Sequence, residues 1–305
     1  MRTSTKFKRR QDLTALCYVL PAVVFMGVFV LIPVIFSLFM SFYKIEALGA
    51  PWEFIGLKNF AYVFEEKEFV NAFFRTIGFG AYSVVIGLIQ GLVLALLVAG
   101  DRRLNFFRYI FYVPGVVSAI TMGMLWQQIM EPTKLGMLNK LFIDLGILEE
   151  PFTWLNSTVF PQTWIIYLLM GLIGGGGGMT LILFTTAINN ISMDIKEAAY
   201  LEGATNWQMT TQITLPLISP TISSWVLLSI IGSLKSFEGL YALTGGGPDK
   251  QTTTLAILLF QNEKSSILGY GYSSAMGLFM TIIVLVFTGA YYWLVSLKEK
   301  KEASV

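Results

Sequence analysis

The groups in this sequence that could do chemistry are few, and their types narrow the chemistry at once. Among 305 residues there is no histidine and one cysteine, Cys17. The usual metal sites and histidine-based proton transfer therefore lack their ligands and bases, and no internal disulfide can form. No G-x-x-x-x-G-K-[ST] pattern for binding nucleotide phosphates occurs. Four constellations remain. Glu197 and Glu202 bracket a cluster of small residues, Ala198, Ala199, Gly203 and Ala204. Ser229, Ser233 and Ser236 recur at helical spacing with Gly232 between them, one narrow hydroxyl stripe. Lys235 and Glu238 are three apart, so a helix presents them on one face, where they can pair. Gly174 to Gly178 is a run of five glycines whose bare backbone could hydrogen-bond a hydroxyl-rich ligand. Each glycine costs about 1 kcal/mol of helix stability relative to alanine, which suggests a use.

Each constellation also has a plainer reading. Serines inside a span often bond back to their own helix. Lys235 and Glu238 can reach the interface from the end of a span, and small residues let transmembrane helices touch. Trp126, Trp225, Phe237 and Tyr241 could stack on a ring-shaped ligand or serve as belt anchors and core. The residue types alone leave both readings open.

The elements that must position these groups are membrane helices. With 55% apolar and 13% charged residues, the chain has too little polar surface to cover a water-soluble body, and a net charge of +2 is too small to suggest nucleic acid. A hydrocarbon core needs about 20 apolar residues per helix. Six runs satisfy this: Leu13 to Phe42, Thr76 to Ala99, Tyr109 to Met130, a stretch inside Leu155 to Met193, Leu217 to about Leu243, and Tyr272 to Leu297. The first has no small-residue cleavage pattern and reads as a retained helix. A seventh candidate, Thr254 to Phe260, is too short to cross and reads as an interfacial or loop helix. The expected division is a basic tail, 1–12, a six-span domain, 13–297, and a short tail, 298–305. Arg2 to Arg10, Arg102, Arg103, Arg108 and Lys298 to Lys301 then share one side. Positive residues are retained in the cytoplasm, so both termini are expected there. Basic ends would also meet lipid head groups.

This orientation makes residues 189–216 the longest cytoplasmic loop. Asp194 to Glu202 has good helix formers and an acidic first turn, Gly203 offers a left-handed stop, and Asn206 can cap a second short helix. Ala198, Ala199 and Ala204 are expected to be exposed, giving a surface that another protein's backbone can approach. An amphipathic helix lying on the membrane is the alternative from periodicity alone.

Glu197, Ala198, Ala199, Gly203, Ile213, Leu215 and Pro216 resemble in type and spacing the EAA signature of permease subunits of bacterial ABC importers. Phe237, Glu238, Thr244 to Pro248 and Thr252 to Thr254 are similar to the carbohydrate branch, which includes the maltose and glycerol phosphate permeases. Leu20-Pro21, Ile32-Pro33, Phe111 to Pro114 and Leu135 to Asn139 extend the likeness over nearly the whole chain. Ser192-Met193 departs from the Ile-Pro usual before the coupling segment, and the glycine run departs from an ordinary fourth span.

The resemblance implies an all-α membrane protein with six transmembrane helices, the type I ABC importer fold, and cytoplasmic EAA coupling helices. It implies a bacterial plasma membrane, a second related permease chain, two ATP-binding cassette subunits, an extracytoplasmic solute-binding protein docking on outer loops Glu46 to Phe69 and Gly245 to Gly271, and a sugar substrate. ATP and Mg would belong to the ATPase subunits, with no cofactor on this chain and no enzymatic chemistry. Glu197, Ala198, Ala199, Glu202, Gly203 and Ala204 would engage the ATPase. Gly176, Met179, Ser229, Gly232, Ser233 and Ser236 would line the substrate pathway. An ABC permease for another solute and an ion-coupled secondary transporter using Lys235 and Glu238 are the alternatives.

Overall fold

A computed structural model describes residues 3–46, 49, 51–99, 102–155, 176–265 and 269–302. Among these, three helices are long and apolar enough to cross a bilayer unaided: Thr14–Met40, Lys67–Val98 and Gly269–Leu297. They correspond to the first, second and sixth expected spans. The first stays helical through Pro21 and Pro33 because it relaxes into a π-helical turn at Gly27–Leu31, where the Ile32 amide donates to the Gly27 carbonyl. Its apolar side chains are exposed throughout, which hydrocarbon solvates and water would not. The second begins at Lys67, nine residues before the expected start at Thr76. The added turns carry Glu68 and Arg75, joined at 2.6 Å and mostly screened from solvent.

The third and fifth expected spans are broken. Residues Arg108–Val116 and Ala119–Ile129 meet at 101°. Val117 and Ser118 are extended between them, and the Ser118 hydroxyl accepts from the Thr121 amide at 3.2 Å, starting a new helix. Pro114, with no amide of its own, sits in the last turn before the break. Asn206–Leu217 and Ser219–Leu234 meet at 63° around Ile218. Here Pro220 removes the amide that would bond the Pro216 carbonyl. The fifth span also ends at Leu234, and a separate helix, Glu238–Thr244, follows where one continuous helix to Leu243 was expected. The fourth expected span lies largely on residues 156–175, outside the described ones, as do Gly174 and Gly175; its described part is the apolar helix Gly176–Asn189. Of the seventh candidate, Leu255 to Phe260 belong to a helix, Leu255–Ser265, and Thr254 precedes it. Leu255, Ile257 and Leu258 are buried in protein.

Contacts divide the chain into two compact units, 1–67 with 259–281, and 68–258 with 282–305. In the first, a two-stranded antiparallel ribbon pairs Tyr43 with Phe54 and Lys44 with Glu53. The buried Asn59 amide donates to the carbonyls of Ser41 and Tyr43, both at 2.9 Å. The Tyr270 amide donates to the Ile45 carbonyl at 2.8 Å, and the Tyr272 hydroxyl donates to the Glu66 carboxylate. Phe279 packs edge-on against Phe60 and Phe64. The Lys44–Glu46 pair raises the lysine pKa and lowers that of the carboxylate through their mutual hydrogen bond. Both side chains are exposed, so the pair adds little stability.

Among the described residues of the second unit, Ala95, Leu181, Phe184, Ile188 and Ile218 form an apolar cluster that joins the second, fourth and fifth segments. Trp126, Met130 and Leu243 form another, and Phe79, Leu240 and Ile257 a third.

Gly271 shows how tightly the ribbon is seated, since a Cβ there would lie 1.8 Å from the Tyr43 carbonyl oxygen. Gly271→Ala should destabilise the purified protein by about 1–3 kcal/mol through overpacking. Gly49→Ala is no control because its φ is +90°; Gly27→Ala, which meets open space, should leave thermal unfolding in detergent unchanged.

Candidate functional site

The loop from residue 189 to 216 is built from local capping rules. Ser192, with φ −53° and ψ 138°, accepts from the Asp194 amide at 3.3 Å and starts the helix Met193–Leu201. The departure at Ser192-Met193 therefore supplies a helix cap of its own. At the other end Gly203 takes φ +83°, the Gly203 amide donates to the Tyr200 carbonyl at 3.1 Å, and the Ala204 amide to the Ala199 carbonyl at 3.0 Å. That pair of bonds is a Schellman motif, which requires the left-handed residue expected at Gly203. The second helix begins one residue earlier than expected. Thr205, not Asn206, is the cap, because its hydroxyl reaches the Gln208 amide at 3.3 Å while the Gln208 side chain accepts from the Thr205 amide at 2.9 Å. Lys196 ties the loop to the preceding helix by donating to the Ile188 carbonyl at 3.2 Å, near the negative end of that helix.

The surface this loop presents differs from the small-residue patch read in the sequence. Glu197, Ala198, Glu202 and Gly203 are exposed as expected. Ala199 is 7% exposed and packs inward, and Ala204 is half-buried. The projecting groups are instead Leu201, 90% exposed, and Trp207, 75% exposed; Tyr200 and Met193 are exposed as well. A leucine and a tryptophan flanking the Gly203 turn were the available signal. Capping forces them outward, since Leu201 is the last residue before the turn and Trp207 lies within the first turn after it.

The residues expected along the pathway do not form a single stripe. Ser229, Gly232 and Ser233 lie on the helix Ser219–Leu234, whereas Ser236 falls in the break beyond it, its amide donating to the Ser233 carbonyl. The Ser233 hydroxyl bonds back to the Ile230 carbonyl at 3.2 Å, and Gly232 faces open space. The same break separates Lys235 from Glu238, so the spacing of three no longer places them on one helical face. Among the described residues no ion pair joins them, and both are exposed.

Gly176, Gly177 and Gly178 are helical, so their backbone groups lie within a helix and not in an open loop. A Cβ on Gly177 would come 2.8 Å from the Gln90 side chain, and one on Gly178 would come 2.2 Å from the Phe111 carbonyl oxygen. These two glycines serve close helix packing. Met179, next to them, is exposed.

A second set of small residues, not read from the sequence, runs along Lys67–Val98. A Cβ on Gly80 would touch Ser233, on Gly87 Trp225, and on Gly91 Thr180, the last at 2.1 Å. Gly87 and Gly91 are a G-x-x-x-G pair, the spacing that lets membrane helices approach. Across this seam the Trp225 indole donates to the Thr180 hydroxyl at 3.0 Å. Trp225, like Trp126 in its buried cluster, is thus engaged in packing, and Phe237 stacks on Tyr241 at 5.1 Å.

The T-G-G-G-P stretch is a folded knot. Gly245 and Gly246 take φ +61° and +96°. The hydroxyls of Thr244 and Thr252 meet at 2.7 Å, Thr252 donates to the Gly247 carbonyl, and Thr253 to the Gly246 carbonyl. Thr252, Thr253 and Thr254 are buried, and the Leu255 amide reaches the Thr76 hydroxyl at 2.9 Å. Among the described residues no cluster of three or more His, Cys, Asp or Glu could hold a metal.

Residues 83–300 match the family described as binding-protein-dependent transport system inner membrane component. The chain belongs to this family. It is thus a multi-pass inner-membrane transport subunit and not an enzyme. It is 29% identical over 291 residues to the trehalose/maltose transport system permease protein MalF of Thermococcus litoralis, covering 94% of this chain and 95% of that one. It is 28% identical over 278 residues to the diacetylchitobiose uptake system permease protein NgcF of Streptomyces coelicolor, covering 87% and 77%. The fold is similar, with a TM-score of 0.79 and 24% identity over 96% of this chain and 98% of the other, to that of a bacterial ABC transporter involved in import of the acidic polysaccharide alginate. That likeness bears out the expected helical importer fold.

Packing by Gly178 and openness at Gly232 make opposite predictions for this permease. Gly178→Ala should cost about 1–3 kcal/mol of stability by pushing two helices apart, and so lower the midpoint of thermal unfolding. Gly232→Ala should hold or slightly raise it, since alanine favours a helix by about 1 kcal/mol. Equal midpoints for the two variants would contradict the packing role.

Proposed function

We propose that this chain is the permease subunit of an ATP-driven importer for a sugar or oligosaccharide, forming half of the translocation pathway. The observation that carries the proposal is the loop at 189–216, where a Schellman turn at Gly203 holds Leu201 and Trp207 in solvent beside Glu197 and Glu202. Large exposed apolar groups ringed by charge are the anatomy of a docking site. An ATPase cleft that takes in Leu201 and Trp207, with basic groups opposite Glu197 and Glu202, would move the loop as it closes on ATP. Lys196 ties the loop to Gly176–Asn189 through the Ile188 carbonyl, and the Thr180–Trp225 bond ties that helix to the fifth segment, so displacement reaches two membrane helices together.

Sugar as the substrate class rests on the relatives, permeases named for trehalose, maltose and diacetylchitobiose transport. The assembly would comprise this chain, a second related permease, two ATP-binding cassette subunits holding ATP and Mg, and a solute-binding protein on the outer loops. Both termini and the 189–216 loop would face the cytoplasm. Met179 and Gly232, both open to their surroundings, are the pathway candidates best placed to meet a passing solute. Gly176, Ser229, Ser233 and Ser236 would contribute less, the Ser233 hydroxyl being already engaged by its own helix.

The test is transport by the reconstituted complex. Glu197→Lys should abolish ATP-driven uptake and sugar-stimulated ATP hydrolysis, with the permease still inserting in the membrane. Leu201→Asp should in addition reduce co-purification of the ATPase. Uptake at the unaltered rate in both variants would overturn the coupling role.

A further inference from the structure

The short helix Met137–Asp144 carries an apolar face that the described residues leave uncovered. Its side chains fall into three arcs at about 100° per residue. Leu138, Asn139 and Phe142 face the protein. Leu138 packs on the cluster of Trp126, Met130 and Leu243, and Phe142 on Trp154 at 5.6 Å. Lys140 and Asp144 form a second, charged and exposed arc. Met137, Leu141 and Leu145, at steps of four, form the third, and all three are more than half exposed.

The helix is held rigidly in this orientation. Asn139 is fully buried, and its amide nitrogen donates to the carbonyls of Glu131, Thr133 and Phe152 at 3.0, 3.3 and 3.0 Å. Its oxygen accepts from the Phe152 amide at 3.0 Å and the Trp154 indole at 2.9 Å. Gly136 permits this closure, since a Cβ there would meet the Glu131 carbonyl at 2.2 Å. Glu131 lies two residues beyond the end of the apolar helix Ala119–Ile129, so the helix is fastened to the point where a membrane segment ends.

We propose that Met137, Leu141 and Leu145 are immersed in the lipid bilayer at its boundary with water, making this helix an interfacial anchor. Three arcs then meet three surroundings: protein, lipid and water. Continuity with a membrane segment places the helix at the boundary, and the charged arc gives it a side suited to water and head groups. Two of the three residues of the apolar arc are leucines, under-represented among the residues that dominate protein–protein binding, and the arc holds no tryptophan, tyrosine or arginine, the types that dominate it.

The test uses the full transporter reconstituted in phosphatidylcholine and phosphatidylglycerol vesicles, with Cys17→Ser as background and a nitroxide attached through Leu141→Cys, Leu145→Cys or, for comparison, Lys140→Cys. Labels at 141 and 145 should collide several-fold more with dissolved oxygen than with a water-soluble nickel chelate, relative to the label at 140. Nickel accessibility at 141 and 145 equal to that at 140 would place the stripe in water and overturn the proposal. Exclusion of both reagents would show a protein cover, whether a second permease or a receptor, and would overturn it equally. All three positions are exposed, and two independent labels on the stripe guard against loss of one variant.

Discussion

A backbone amide or carbonyl without a partner costs on the order of several kcal/mol in hydrocarbon, and this constraint governs where the helices of the permease can break. Several departures from helix are closed by side chains that supply the missing bonds. Ser118 starts the second half of the third segment. Thr205 and Gln208 cap each other beyond the Gly203 turn. Thr76, on a membrane helix, satisfies the buried amide of Leu255. The threonines after the T-G-G-G-P stretch are buried because their hydroxyls answer the carbonyls of Gly246 and Gly247. What looks like a run of polar residues is a set of partners for backbone that has left the helix.

The same constraint gives the molecule its moving and fixed parts. The helix bends of 101° and 63° fall at Val117–Ser118 and at Ile218, so among the described residues these hinges are local. Between hinges, packing is close enough to transmit displacement: Gly87 and Gly91 admit Trp225 and Thr180 against the second membrane helix, and Gly178 sits on the Phe111 backbone. The 189–216 loop is continuous with this packed region through Gly176–Asn189. A push on Leu201 or Trp207 therefore meets stiff elements joined at defined turns, a suitable arrangement for conveying work from one side of the membrane to the other.

Much of the candidate site was legible in the sequence. The left-handed stop at Gly203 and the helix before it follow from glycine's freedom at positive φ and from the helix formers of Asp194 to Glu202. The exposure of Glu197, Ala198 and Glu202 was legible too. Ala199 was not, because which face of a nine-residue helix turns inward depends on what packs beneath it. Lys235 and Glu238 misled for a related reason: their spacing has meaning only on an unbroken helix, and the helix ends at Leu234. The glycine run offered bare backbone in sequence, but the part of it described here spends that bareness on neighbouring helices.

By itself the sequence determined that the chain lives in a membrane, roughly where it crosses, and that one loop carries a short capped helix. Those features depend on the length of apolar runs and on residues acting within four or five positions of one another. Only the tertiary structure decided which small residues are contacts, which aromatic residues are core, and that Leu201 and Trp207 project. These outcomes rest on partners distant in sequence, such as Thr180 for Gly91 and Gly239 for Gly123, and no local pattern encodes which distant side chain will fill a given space.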